Sequence, residues 1–243
     1  MACVKTAISQ TMLVSEAVEP VQGKFVSMPP STATRFIVVR HGESIWNREG
    51  RIQGHLDSPL DDAGVEQAEA LAARLSDIPF DALVSSDLGR ASTTAQHIAR
   101  RSGHTVVTDT RLRERHYGIF QGLTRAEARR LYPEVYLLYN EHEDSNRYVL
   151  PRGESTAQCF ARNLECLQEL AEQHQGGMVV VVTHGGVLDG LYRFVMNVPH
   201  ESSRAFSILN ASLNWFTCED GRWRLDCWGD IAHLGSDKSL DDV

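Results

Sequence analysis

Two runs in this 243-residue chain are apolar at every position, "FIVV" (36–39) and "MVVVV" (178–182). A strand with one face in water alternates apolar and polar side chains; a strand covered on both faces does not. Short runs of this kind, bounded by turn residues, therefore read as strands of a sheet that carries helices on both sides. The rest of the chain supplies those helices. Val65, Ala68, Leu71, Ala72 and Leu75 mark one from about Asp61 to Ser76, and Phe160, Leu164, Leu167 and Ala171 mark a longer one over roughly 154–174. A third, carrying Leu188, Leu191 and Val195, follows the second apolar run.

"DALVSS" (81–86) and "HTVVTD" (104–109) are further short strands, with a helix between them that Asp87 caps and that runs to about Arg101. Strands near 212–218 and 222–228 close the chain as a hairpin turned by Glu219, Asp220 and Gly221. Strand–helix alternation predicts an α/β fold, a three-layer α/β/α sandwich around a mainly parallel sheet. Residues 114–152 depart from it, reading as irregular with one short helix near 124–131. The expected domain spans 34–232. Residues 1–33, which contain "SMPPSTAT", read as a flexible N-terminal arm, and 233–243 as a flexible tail.

Composition excludes several classes. No apolar run approaches the about 18 residues of a membrane span, and the N-terminus lacks the apolar core of a secretory signal. A net charge of −8 argues against non-specific nucleic-acid binding. The cysteines at 3, 159, 166, 218 and 227 form no C-x-x-C pair or zinc-ligand spacing. Cys159 and Cys166 fall roughly 10 Å apart on one helix, too far to bridge, whereas Cys218 and Cys227 flank the closing turn and could face each other. This odd, scattered set suits a reducing, cytoplasmic setting.

In an open parallel sheet, ligands bind beyond the carboxyl ends of the strands. The first strand ends in Arg40 and His41, with Gly42 behind. The second ends in Ser85 and Ser86 and delivers Arg90 in the first turn of the next helix. "MVVVV" ends in Thr183 and His184, before Gly185 and Gly186. If these strands are neighbours, two arginines and two histidines converge. Arginine recognises phosphate bidentately, and the N–H groups of a helix start add to an anion site. Taken singly, an arginine at a helix start is ordinarily solvated and a histidine after a strand is ordinarily a turn residue. Three strand ends with one bias point instead to an anion held between them.

"RHGES", "SSDLGRASTTA", "LRERHYGIFQG" and "VTHGGVL", in that order over about residues 35 to 230, resemble the histidine phosphatase superfamily with its phosphoglycerate mutase-like fold. "RIQGHLDSPLDDAG" is similar to the family's segment after its catalytic loop. The resemblance implies that His41 accepts the phosphoryl group, that Arg40, Arg90 and His184 bind its oxygens, and that Glu114 donates the proton. It also implies substrate contacts from Asn47, Gln53, Gly185, Arg115 and Arg125. The chemistry is coherent, because two arginines and an imidazolium can position and stabilise a transferring phosphoryl group without magnesium. No metal or cofactor is expected. A histidine nucleophile must be neutral at the attacking nitrogen, so its other nitrogen needs an acceptor, expected to be a backbone carbonyl.

The family contains mutases, which return the phosphoryl group to a product, and phosphatases, which give it to water. "ERHYGIFQGL" resembles the mutase form, and Arg125 lies where mutases carry a basic residue. Against this, Gly186 and Val187 replace a polar asparagine, and 133–152 lacks the mutases' paired arginines and proline run. "RYVLPRGES" resembles phosphatase members, with Arg147 and Arg152 as candidates for a second anionic group of the substrate. The expectation is a phosphatase acting on a small phosphorylated metabolite through a phosphohistidine; the alternative is a cofactor-dependent phosphoglycerate mutase. A non-catalytic scaffold would ordinarily lose one of the four phosphate-site residues, and a metal-dependent hydrolase would want a tighter ligand motif. The expected partner is the phosphorylated substrate, with no nucleic acid and no membrane; a homodimer is left open.

Overall fold

In the computed structural model, which describes residues 32–141, 147–200 and 202–235, the two wholly apolar runs lie side by side. They are strands β1 (Thr34–Arg40) and β4 (Met178–Thr183), paired in parallel with Phe36 opposite Val179 and Val38 opposite Val181. β4 pairs in parallel with β2 (Ala82–Ser85), and β2 with β3 (Val106–Thr108). On the other side of β1 run β5 (Leu213–Glu219) and β6 (Arg222–Asp230), both antiparallel to their neighbours, giving the order β3-β2-β4-β1-β5-β6. The helices are α1 (Ile45–Arg48), α2 (Asp62–Leu75), α3 (Gly89–Ser102), α4 (Arg125–Leu131), α5 (Pro133–Glu141), α6 (Thr156–Gln173) and α7 (Gly185–Met196).

Coverage of both sheet faces explains the unbroken apolar runs. Phe36, Val38, Val179 and Val181 pack with Leu167, Leu188 and Leu191 of α6 and α7. Ile37, Val39, Val180 and Val182 pack on the other face with Leu71, Leu75, Ala95 and Ile98 of α2 and α3. Each such side chain contributes about 1.5–3 kcal/mol relative to exposure. The register matters as much as the burial. Arg40 lies opposite Thr183 and Ser85 opposite Val182, so the three strand ends reach one edge of the sheet together.

Several local expectations need correction. Asp87 does not cap α3: Leu88 precedes the helix without a side-chain cap, and the Asp87 carboxylate instead holds Arg113. Asp57, from a distant loop, accepts the Arg90 N–H at 3.3 Å. The buried face of α6 is turned towards Cys159, Asn163, Cys166, Leu167 and Leu170, with Phe160 and Leu164 only half-buried. The cause is a second packing partner, the 110–116 loop, whose Arg111 carbonyl takes the Asn163 amide. On α2, Val65 is half-buried while Gly64 and Gln67 face inward. A Cβ at Gly64 would stand 1.9 Å from the Glu43 carbonyl oxygen.

The closing hairpin turns on Asp220 (φ 50°) and Gly221 (φ 74°). Its register sets Cys218 opposite Trp223 and Cys227 opposite Trp215, so the two cysteines do not face each other. Cys159, Cys166, Cys218 and Cys227 are all free thiols. The 114–152 region holds more structure than its pattern suggests: α5 follows α4, and a small cluster of Phe120, Ala128, Tyr139 and Leu150 supports both. The arm expected at 1–33 lies outside the described residues except for Thr32 and Ala33, as does the tail beyond 235. Among the described residues, no helix is long and apolar enough to cross a membrane.

Candidate active site

His41 extends the β1–β4 ladder by one residue, its N–H bonding the Thr183 carbonyl at 3.0 Å. Its own carbonyl accepts from Asn210 Nδ2 at 3.0 Å, which fixes the backbone from the other side. Gly42 is required next, because a Cβ there would meet the Gly64 carbonyl oxygen at 2.6 Å. The imidazole Nδ1 lies 2.7 Å from the Gly42 carbonyl oxygen. A carbonyl can only accept, so Nδ1 carries the proton and Nε2 keeps its lone pair. Burial, then the charges of Arg90 and Arg40, holds this ring well below the ordinary histidine range. The acceptor expected from sequence is thus a neighbouring backbone carbonyl.

Arg90 is buried and forks outward from the first turn of α3. Its Nε points at His41 Nε2 from 3.3 Å, Nη2 bonds the Gly54 carbonyl at 2.8 Å, and Nη1 reaches the Leu56 carbonyl at 3.1 Å. The "GHLD" loop is thereby fastened to the guanidinium. Arg40 Nη1 donates to the Ile208 carbonyl. His184 stands at the N-terminal boundary of α7, wholly buried, with its ring edge-on to His41 at 5.2 Å and Nε2 2.8 Å from Ser86 Oγ. Burial, then Arg90, His41 and Arg40, holds His184 well below the usual range. The imidazolium expected at this position is therefore disfavoured unless an anion stands beside it.

Glu114 reaches the same place from the loop after β3. Its Oε1 accepts the Arg115 N–H at 2.7 Å and its Oε2 accepts the Gly186 N–H at 2.9 Å. Its main chain is gripped separately. The Glu114 carbonyl accepts from His55 Nε2 and from Arg162 Nη2, both at 2.8 Å. Arg162 also bonds the carbonyls of Arg111 and Arg113 and pairs with Glu154, whose carboxylate takes the His116 N–H. None of this clamp was anticipated from sequence, although His55 sits in the "RIQGHLD" segment singled out there.

The convergence forms a cavity of about 390 Å³. Of the residues expected from sequence, Arg40, His41, Asn47, Gln53, Arg90, Glu114, Arg125 and Gly185 line it, and His184 lies buried against His41. The Asn47 and Gln53 side-chain oxygens are engaged by Ser44, so their amino ends are the ones suited to an anion. Arg115 is placed elsewhere: its Nε and Nη2 bond the Glu154 and Tyr148 carbonyls, and its guanidinium lies over the Tyr117 ring. Arg147 and Arg152 are exposed and outside the cavity lining. Tyr117 and Tyr139 line the cavity and were missed. Tyr117 stands three residues after Glu114 in a quoted motif, but Tyr139 belongs to the unforeseen α5. Among the described residues, no three His, Cys, Asp or Glu side chains are grouped as metal ligands.

A buried strand-end histidine flanked by two arginines, a second histidine and a carboxylate defines the class. The model of the histidine phosphatase superfamily (branch 1) matches residues 36–231, and the chain belongs to that family. It is 43% identical over 201 residues to phosphoglycerate mutase-like protein 4 of Arabidopsis thaliana, covering 82% of this chain and 86% of that one. It is 40% identical over 210 residues to the metal-independent phosphoserine phosphatase of the same plant, covering 85% of each. The structure of mycobacterial glucosyl-3-phosphoglycerate phosphatase superposes with a TM-score of 0.69 at 34% identity, over 81% of this chain and 99% of that one. The fold is the phosphoglycerate mutase-like fold.

Proposed function

We propose that this enzyme hydrolyses phosphate monoesters of small metabolites through a phosphohistidine at His41, without a metal ion. The observation that carries the reading is the locked tautomer: Nδ1–H is spent on the Gly42 carbonyl, and the unprotonated Nε2 stands beside the Arg90 guanidinium. Arg40, Arg90 and His184 would take the phosphate oxygens, and a dianion among them opposes the burial and the positive charge that otherwise keep His184 neutral. Attack by Nε2 on phosphorus forms the N–P bond as the P–O bond to the alcohol breaks. Glu114, in its acid form, gives the leaving oxygen a proton. As a carboxylate it then accepts a proton from water attacking the phosphohistidine, which releases inorganic phosphate and restores both groups.

Hydrolysis is favoured over isomerisation by Gly186. No side chain projects there to hold a departed glycerate for return of the phosphoryl group, and two of the three relatives above are named phosphatases. The test follows phosphate release and 3-phosphoglycerate isomerisation in one tube, with and without EDTA. Release that outpaces isomerisation and survives EDTA is expected. Isomerisation in excess, stimulated by 2,3-bisphosphoglycerate, would place the chain with the mutases. The free thiols suit a reducing compartment, and the cytoplasm is the proposed location.

A further inference from the structure

The phosphate role proposed for His184 requires an N–H directed at an oxygen, and a ring kept neutral by burial and neighbouring charge has only one. The nitrogen that carries it decides whether the ring attracts an anion or turns a lone pair towards it. Ser86 stands at Nε2. Its own N–H bonds the Val182 carbonyl at 2.9 Å, which prolongs the β2–β4 pairing by one residue and sets Ser86 beside the end of β4, where His184 follows. Both residues are wholly buried. Ser86 Oγ lies 2.8 Å from His184 Nε2 and accepts the Leu88 N–H at 3.3 Å.

The hydrogen bonds close in one way. With the proton on Nε2 the ring would donate to Ser86, and the serine hydroxyl would have no acceptor among the described residues. With the proton on Nδ1, Ser86 donates to Nε2 while accepting from Leu88, and both of its bonds are made. Nδ1, which is buried and has no hydrogen-bond partner among the described residues, then presents its N–H to the phosphate. We infer that Ser86 is a positioning residue: its hydroxyl donates to Nε2 and fixes His184 as the Nδ1–H tautomer, a neutral donor to the phosphate. The ring then binds the anion without the second proton that burial refuses. His41 carries its proton on the same atom for the opposite purpose, since there Nδ1–H goes to a carbonyl and Nε2 is bared for attack. The inference rests on the phosphate site proposed above.

The test begins with enzyme carrying ¹⁵N-labelled histidine. A long-range proton–nitrogen correlation spectrum at neutral pH separates protonated from bare ring nitrogens, and the His184 signals are those missing from His184→Asn. The unmodified enzyme should show a protonated Nδ1 and a bare Nε2, and Ser86→Ala should lose that preference. Kinetics read the consequence. Ser86→Ala should slow the pre-steady-state burst from p-nitrophenyl phosphate by about tenfold or more, the scale of one hydrogen bond to a charged acceptor. His184→Asn puts an amide donor near the place of Nδ1 and has no tautomer to set. On that background Ser86→Ala should cost less than about twofold further, because the two residues act as one unit. A bare Nδ1 or an imidazolium in the unmodified enzyme overturns the inference. So does a loss that persists at full size in the double variant, which would make the serine's role structural. The spectrum needs no turnover: a protonated Nδ1 in an enzyme that forms no phosphohistidine would support the tautomer and sink the hydrolytic reading alone.

Discussion

The Glu114 carboxylate sits 2.9 Å from the Gly186 N–H, and a Cβ on residue 186 would stand 2.2 Å from Glu114 Oε1. The proposed proton donor thus occupies the space where a side chain at 186 would be. Gly186→Asn should move the carboxylate rather than unfold the chain, because the obstructing atom ends a flexible side chain. Turnover of alkyl phosphates should fall by about 10²-fold, the lower range of what a positioned acid supplies, with the thermal midpoint nearly unchanged. Unaltered turnover would mean that this carboxylate position does not matter.

Glu114→Gln keeps the shape of the side chain and removes its ability to donate an acidic proton. An alkoxide is too basic to leave without protonation, whereas a nitrophenolate departs readily. Phosphoryl transfer from an alkyl phosphate should therefore slow by about 10²- to 10⁴-fold, while the pre-steady-state burst from p-nitrophenyl phosphate is largely spared. Equal loss on both substrates would assign Glu114 an electrostatic role. The Glu43 and Glu154 carboxylates, by contrast, are paired with Arg48 and Arg162.

His41 and His184 are both held neutral by burial and by the adjacent arginines. Unfolded histidine titrates near 6.5. Below that value the unfolded chain binds protons that the folded chain refuses, so stability is full above about pH 6.5 and is lost as pH falls. Each ring contributes about 1.4 kcal/mol per pH unit in that window. Urea midpoints between pH 7.5 and 5.5 should show a shallower acid loss in His41→Asn and His184→Gln than in the unmodified enzyme. The same slope in all three would show that neither imidazole resists protonation.

Arg162 bonds three carbonyls of the 111–114 loop and the Glu154 carboxylate. Arg162→Lys keeps the charge but loses the fork. It should destabilise by about 3 kcal/mol, as expected when a largely buried pair loses its geometry, and should lower kcat on alkyl phosphates more than it raises KM. A change confined to stability would make the clamp purely structural.

The central sheet was legible because burial on both faces leaves short, β-branched apolar runs bounded by turn residues, and the ligand edge followed from the strand ends. His41 and Arg90 were legible for the same reason, since each stands next to a strand or helix boundary that the pattern marks, whereas Glu114 was reached only through the family resemblance of "LRERHYGIFQG". The clamp of His55, Glu154 and Arg162 was not, since its bonds go to backbone carbonyls, which carry no residue signature. α5 was hidden because its Val135, Tyr136 and Tyr139 pack on a small local cluster rather than on the sheet, while its own Leu137 and Leu138 are exposed. Asp87 looked like a cap by position, but Arg113, distant in sequence, offered it a charged partner.

The most direct measurement is a rapid quench of the enzyme with ³²P-labelled substrate, followed by peptide mapping. The account predicts an acid-labile, base-stable label on the peptide containing His41, formed at a rate no slower than turnover and absent from His41→Ala. A label on another residue, or full turnover in His41→Ala, would contradict it.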